Sequence, residues 1–198
     1  MKTSLRPFLL GVLVAAGLSA AGLLLFVYAG RYDIGADAPH TRPVAALLTV
    51  LRERSLRTHA AGLRVPDLTD PRRILQGAGQ YAAMCTQCHL TPVMRHSEIR
   101  PGLYPQPPDL TRVRIDPKVA FWAIKHGIKM SAMPAWGTSH DDATIWSMVA
   151  FLQTLPDLSP AQYRDIVARA PPDDDMDGGM QDDAKADSPA RTSSAGRH

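Results

Sequence analysis

The sequence is poor in cysteine and contains a single pair, Cys85 and Cys88. A structural zinc site usually needs four ligands, often from two such pairs, and no second pair is present. The chain also lacks a Ser/His/Asp arrangement, a glycine-rich phosphate loop and paired carboxylates suited to acid–base catalysis. Basic residues interleaved with aromatic ones are missing as well, which argues against nucleic-acid binding. These absences predict a protein without catalytic residues of its own.

No segment of useful length alternates apolar and polar residues, so strands are not expected. Helix signals are clear instead. Asp70-Pro71 predicts the start of a helix that continues to about residue 84, and Asp116-Pro117 predicts a second one that stops near Gly127. The fold class expected from this pattern is all-α.

Two further helices are expected towards the C-terminus. Ser139 with Asp142 three residues later resembles a capping box and predicts a helix that Pro156 ends. Ser159-Pro160 predicts a short helix to about residue 170. Upstream, residues 43–61 predict an amphipathic packing helix, with a helix on the membrane surface or against the domain that follows it as the alternative.

One long apolar run covers the 22 residues 8–29. As a helix it would be roughly 33 Å long at 1.5 Å per residue, enough to cross a bilayer. Lys2 and Arg6 precede it, so the N-terminus is expected in the cytoplasm and the rest of the chain on the other side. A cleaved signal peptide is the alternative, but the run exceeds the usual apolar core of about 7–15 residues and lacks a good cleavage site. We therefore expect an uncleaved single-pass anchor.

Residues 85–89 read Cys-Thr-Gln-Cys-His, the attachment signature of c-type haem. The cysteines lie about one helical turn apart, so both thiols face one edge of a flat macrocycle and can form thioether bonds to its vinyl groups. The adjacent imidazole would be the proximal iron ligand. A thiol–disulfide exchange site is the alternative, but it needs no trailing histidine. The motif predicts one covalent haem c held by Cys85, Cys88 and His89.

A second iron ligand is expected from methionine, because a Met/His pair raises the reduction potential of haem. Two candidates, Met130 and Met133, lie in one loop. Pro134 biases the residue before it towards an extended conformation, so the side chain of Met133 can project from the loop. Ala132 and Ala135 are small enough to let the loop approach the ring. We expect Met133 to be the axial ligand, with Met130 as the alternative.

Residues 70–156 resemble the class I cytochrome c family and its bacterial membrane-anchored members. Gly77, Tyr81 and Cys85 recur at four-residue steps, which is similar to the first helix of the family, where the glycine permits a close helix crossing. Met-Pro-Ala-Trp at residues 133–136 resembles the methionine loop of bacterial members. The resemblance implies a helical domain that carries one haem with His/Met ligation.

The Pro-Asp-Leu sequence at residues 108–110 is similar to the Pro-x-Leu segment of the same family. The resemblance implies that the carbonyl group of Pro108 accepts a hydrogen bond from the ring of His89 and that Leu110 packs on the haem. Trp136 is expected close to the ring. Five other histidines are expected at the surface or at helix ends rather than on the iron, namely His40, His59, His96, His126 and His140.

The predicted organisation has four parts. Residues 1–30 form the anchor, 31–69 a connecting amphipathic helical segment, 70–170 the cytochrome c domain and 171–198 an acidic disordered tail. The tail holds seven Asp and three Lys or Arg, a net charge of −4, and almost no large apolar residues. Residues 31–170 hold 17 Lys or Arg and 12 Asp or Glu, a net charge of +5, which can steer the domain towards acidic partners.

Together these features predict a membrane-tethered monohaem cytochrome that transfers single electrons at the periplasmic face of a bacterial inner membrane. It would be an electron carrier rather than an enzyme. Its partners would be redox proteins and, through the N-terminal helix, the membrane. Two alternatives are a haem c subunit fixed in a larger membrane oxidase or dehydrogenase, and an open-iron peroxidase-like or gas-sensing protein in which Met133 is absent from the iron or weakly held.

Overall fold

The computed structural model describes residues 5–171, which form helices joined by turns and loops. The helices are α1 (Leu5–Tyr28), α2 (Arg42–Ala60), α3 (Pro71–Met84), α4 (Thr86–His89), α5 (Pro117–His126), α6 (Asp142–Thr154) and α7 (Pro160–Arg169). Short 3₁₀ turns lie at Arg100–Gly102, Trp136–Thr138 and Leu155–Asp157. Residues 5–171 contain no β-strand, which confirms the all-α class. Apart from Pro171, the predicted acidic tail lies outside the described residues.

The chain divides into two compact units, Met1–Ala45 and Ala46–His198. In the first unit, α1 is a helix of 24 residues that is long and apolar enough to cross a membrane. Every residue of α1 is exposed in the structure. The helix expected from the apolar run is therefore present, and it begins at Leu5, before the run itself.

The core of the second unit is built around the crossing of α3 and α6. Gly77 lies at the crossing, where an added Cβ atom would lie 1.9 Å from the carbonyl oxygen of Ser147. The buried rings of Tyr81 and Phe151, one from each helix, pack with their centroids 5.4 Å apart. The close approach expected at Gly77 is confirmed, and it lets large side chains fill the space on either side.

The starts and ends of most helices follow the local chemistry of the sequence. Asp70 and Asp116 accept backbone hydrogen bonds at the starts of α3 and α5, and each precedes a proline. Ser159 and Gln162 form a reciprocal capping box at the start of α7. Gly127 follows α5 with φ 66°, a conformation that favours glycine. These boundaries agree with the predictions from sequence.

The start of α6 differs from the predicted capping box of Ser139 and Asp142. Asp141 is the capping residue, and its carboxylate accepts a hydrogen bond from the backbone N–H of Thr144 at 2.7 Å. Ser139 lies in the preceding turn, where its hydroxyl is 2.8 Å from Nδ1 of His140. Ser139, Asp141 and Asp142 could each cap a helix here. The conformation of the preceding turn determines that Asp141 takes the capping position.

The end of α2 packs against α5. Ala60 is only 1% exposed, and the ring centroid of His59 lies 5.2 Å from that of Trp122. Nζ of Lys118 donates a hydrogen bond to the carbonyl oxygen of Ala61 at 3.1 Å. The helix predicted at residues 43–61 is therefore present, and its last turn is fixed to the second unit.

Candidate cofactor site

A cavity of about 520 Å³ lies within the second unit. Its volume is in the range of small-molecule and cofactor sites, about 300–1,000 Å³. The walls are mainly apolar and include Leu110, Ile115, Ile124, Ile128 and Leu152. All four predicted site residues, Cys85, Cys88, His89 and Met133, line this one cavity. Two thiols, an imidazole and a thioether around an apolar space are a donor set that fits haem c.

The attachment motif lies where α3 gives way to α4. Cys85 ends α3 and precedes the first residue of α4, and Cys88 lies within α4. Both thiols are free and half-buried. Burial raises the pKa of the Cys85 thiol to about 12, and the neighbouring Cys88 adds to the effect. In this fold burial therefore favours the neutral thiol of Cys85 over the thiolate.

His89 is oriented by a backbone carbonyl group from a distant part of the chain. Its Nδ1 atom lies 2.9 Å from the carbonyl oxygen of Pro108. Because a carbonyl oxygen only accepts, Nδ1 must carry the hydrogen, which leaves the lone pair on Nε2. Burial lowers the pKa of His89, the hydrogen bond to Pro108 opposes that effect, and the charge of Arg100 reinforces it. The neutral imidazole is the form that ligates a metal, and the expected His89–Pro108 hydrogen bond is present.

Arg100 connects the attachment motif to the proline-rich segment, a role that the sequence did not reveal. Its Nε atom donates to the carbonyl oxygen of Cys88 at 3.2 Å, and one terminal nitrogen donates to that of Pro107 at 2.7 Å. The side chain of Gln106 donates in turn to the carbonyl oxygen of Arg100 at 2.7 Å. These contacts hold the loop that carries Pro108 against the motif, and no local pattern could have shown them.

The methionine loop is closed by hydrogen bonds around Ser131. Its hydroxyl donates to the carbonyl oxygen of Ile128 at 2.7 Å and accepts from the backbone N–H of Met133 at 3.2 Å. The N–H of Ile128 donates to the carbonyl oxygen of Met133 at 3.1 Å. Met133 is half-buried at the cavity, whereas Met130 is 79% exposed and does not line it. Of the two methionines, the fold brings Met133 to the attachment motif.

Trp136 lines the cavity, and the ring of His140 packs against it. The two rings pack edge to face with their centroids 5.7 Å apart. His140 lies beside the start of α6, which agrees with a position at a helix end, but it is only 6% exposed and so is buried rather than at the surface. The reason is the turn before α6, which folds His140 inward against Trp136 and places Asp141 at the helix start instead.

The middle of α2 also reaches the cavity. Arg52, Glu53 and Leu56 are among its lining residues. Sequence analysis predicted a packing helix here, but helical periodicity shows only that one face is apolar and cannot show what that face meets.

Comparison with known families agrees with this geometry. Residues 72–152 match a family described as cytochrome c oxidase, cbb3-type, subunit III. The match extends from α3 into α6 and includes the attachment motif and the methionine loop. No curated protein and no solved structure matches the chain significantly. Residues 72–152 therefore form a c-type cytochrome domain, the kind of domain that binds covalently attached haem c.

Proposed function

We propose that this protein transfers single electrons through one haem c, which Cys85 and Cys88 hold covalently and His89 and Met133 ligate axially. The observation that carries the proposal is the convergence of these four residues on one apolar cavity of about 520 Å³. When bound, haem c supplies a one-electron redox centre. The chain fixes the ligands, excludes water and sets the electrostatic surroundings.

His89 serves as the proximal ligand in this proposal. The Nδ1–H group donates to Pro108 at 2.9 Å, so the ring is held in one tautomer with Nε2 available as a ligand. Arg100 donates to the carbonyl oxygen of the preceding residue, Pro107, and so fixes the segment that carries Pro108. Because the hydrogen bond to Pro108 fixes the orientation of the His89 ring, the ring would need little rearrangement when a bound haem gains or loses an electron.

Met133 serves as the second ligand in this proposal, and hydrogen bonds also fix the loop that carries it. Ser131 joins two backbone groups of the loop, and Met133 also packs against the hydrophobic core. A thioether supplied from this loop would occupy the second ligand position of a bound haem. This arrangement supports an electron carrier over a peroxidase-like or gas-sensing protein, which needs an open position on the iron.

The location we propose is the periplasmic face of a bacterial inner membrane. Helix α1 supports a single membrane span, since 24 helical residues measure roughly 36 Å at 1.5 Å per residue. Lys2 and Arg6 near its N-terminal end favour a cytoplasmic N-terminus, with the haem domain on the opposite side. A tethered carrier gains a high effective concentration near membrane redox proteins.

A second candidate function is that of a fixed subunit in a larger membrane oxidase. The description of the matched family, a subunit of an oxidase, favours it. Extraction from membranes in mild detergent followed by size-exclusion chromatography separates the two. A haem-stained species of the size of a single chain supports the tethered carrier, whereas co-elution with a large oxidase supports the subunit.

The test of the main proposal is an optical spectrum of the purified full chain in both redox states, with a haem stain on a denaturing gel. We expect a low-spin haem, a thioether-to-iron charge-transfer band in the oxidised form, and pigment that stays with the polypeptide. A high-spin spectrum that shifts readily with carbon monoxide would contradict the ligand set. Colourless protein from cells with a working haem-attachment system would contradict the proposal as a whole.

A further inference from the structure

Arg52 is the one lysine or arginine among the residues that line the cavity. The side chain is half-buried, and within residues 5–171 it makes no hydrogen bond or ion pair. Its neighbour Glu53 lies 3.9 Å from Arg57 and so has a partner of its own. A guanidinium group beside an apolar cavity is thus left without a counter-charge from the described protein.

The half-buried side chain keeps part of its contact with water, and an anion that enters the cavity would meet it as an unpaired cation. Taking a charge out of water costs free energy that a paired and hydrogen-bonded partner offsets. Haem carries two propionate carboxylates on one edge of an otherwise apolar ring. Arginine binds carboxylates in a bidentate geometry and stays charged at every physiological pH. The cavity therefore presents one cation to a ligand with an anionic edge.

We propose that Arg52 binds a propionate of haem c, so that α2 forms part of the haem site although it lies outside the family match at residues 72–152. This inference rests on the proposed seating of the haem in the cavity. It assigns a role to a segment that the family resemblance does not cover.

The geometry of α2 supports this role. Arg52, Leu56 and Ala60 are spaced four residues apart and therefore share one face of the helix. The end of that face is fixed, since Ala60 is buried and Lys118 donates to Ala61. Arg52 lies eight residues before Ala60, which corresponds to roughly 12 Å along the helix. Arg52 and Leu56, one turn apart on this face, both line the cavity.

A cation beside a redox centre favours the reduced form, because that form carries less positive charge. Arg52 should therefore raise the midpoint potential of the haem. Glu53 lines the same cavity with the opposite charge and should lower it. If the two side chains act through their charges, removing the charge of Arg52 and removing that of Glu53 should shift the midpoint potential in opposite directions.

The test is potentiometric titration of the full chain, loaded with haem, in detergent. Arg52→Gln should lower the midpoint potential, with a roughly three- to tenfold loss in the equilibrium constant for reduction. A tenfold change corresponds to about 59 mV for a one-electron couple. Arg52→Lys should keep most of the wild-type potential, and Glu53→Gln should raise it. Arg54→Gln is the control, because Arg54 is exposed on the same helix and does not line the cavity.

Two results would overturn the inference. One is an Arg52→Gln protein with the wild-type potential and an intact thioether band. The other is a potential that falls equally in Arg52→Gln and Glu53→Gln, which would indicate a structural effect of altering the helix. These results differ from a failure of the proposed function. If the proposed function were wrong, the wild-type protein itself would lack covalent haem or the thioether band.

Discussion

Gly77 of α3 lies so close to Ser147 of α6 that a Cβ atom added to the glycine would be 1.9 Å from the serine carbonyl oxygen. The obstacle is backbone, so neither helix can yield by turning a side chain. The two helices cross here because position 77 has no side chain, and the core on both sides depends on that approach.

Gly77→Ala should therefore destabilise the domain. Forcing a methyl group into this space should cost about 1–3 kcal/mol of the free energy of unfolding, as overpacking of a core does. Chemical denaturation of the haem-loaded wild type and variant measures this difference in the free energy of unfolding. Gly62→Ala is the control, because a Cβ at Gly62 meets nothing within 4 Å. Equal stability of the two variants would contradict the importance of the crossing.

Replacement of the two loop methionines should separate their roles. Met133→Ala should open the iron, abolish the thioether band and lower the midpoint potential, because a Met/His pair raises it. Met130→Ala should do none of these, since Met130 is 79% exposed and does not line the cavity. Optical spectra in both redox states and carbon monoxide binding check both. A high-spin form in Met130→Ala alone would reverse the assignment.

Loss of the Ser131 hydroxyl should loosen the methionine ligand without removing it. Ser131→Ala deletes two hydrogen bonds that close the loop, each worth about 0.5–1.5 kcal/mol. We expect the thioether band to disappear at a lower temperature and carbon monoxide to bind faster. Ser131→Thr keeps the hydroxyl and should behave more like the wild type. Identical band melting in Ser131→Ala and the wild type would show that the loop is held by other contacts.

Both cysteines should be needed for covalent haem. A double variant, Cys85→Ala with Cys88→Ala, leaves His89 and Met133 in place but removes both thioether bonds. Haem staining on a denaturing gel should disappear in this variant and persist in the wild type. Pigment that survives on the double variant would point to attachment at another residue.

The cap of α6 should make a pH-dependent contribution to stability. Hydrogen bonds from the backbone and side chain of Thr144 hold the pKa of Asp141 below its usual value. A carboxyl group whose pKa falls on folding contributes stability that is present above its unfolded pKa and is lost as pH falls through the folded pKa. Asp141→Ala should thus cost about 1 kcal/mol at neutral pH.

Asp141→Asn provides the matched control, since an amide oxygen caps the helix without titrating. Its stability should stay close to that of the wild type at neutral pH. Below the folded pKa of Asp141, the wild type should lose its advantage over Asp141→Ala, whereas Asp141→Asn should keep it. Denaturation curves across acidic pH measure these differences. If the stability difference between the wild type and Asp141→Ala did not change with pH, the cap would not depend on the charge of Asp141.

Features set by neighbouring residues were predictable from the sequence. The attachment motif, the Asp-Pro helix starts and Gly127 after α5 each depend on a few consecutive residues, and the structure contains all of them. The cap of α6 was mispredicted because several acidic and hydroxyl residues compete there. The choice depends on how the preceding turn packs His140 against Trp136.

Features set by long-range contacts were not predictable. The Arg100 contacts to Cys88 and Pro107 join parts of the chain that no periodicity links. The position of Arg52 at the cavity depends on where the end of α2 docks, and that depends on Ala60 and α5. A family resemblance restricted to residues 70–156 could not supply this information either.

Leu90, which directly follows the proximal histidine, has φ 66° and ψ 179°. This region of backbone space is essentially reserved for glycine and costs of the order of 1–3 kcal/mol for other residues. The buried hydroxyl of Tyr81 donates to the carbonyl oxygen of Leu90 at 2.6 Å and helps hold this conformation. The bend after the attachment motif is thus imposed by the folded core. An unfolded chain lacks that restraint, so residue 90 can take ordinary backbone conformations until the core around Tyr81 has formed.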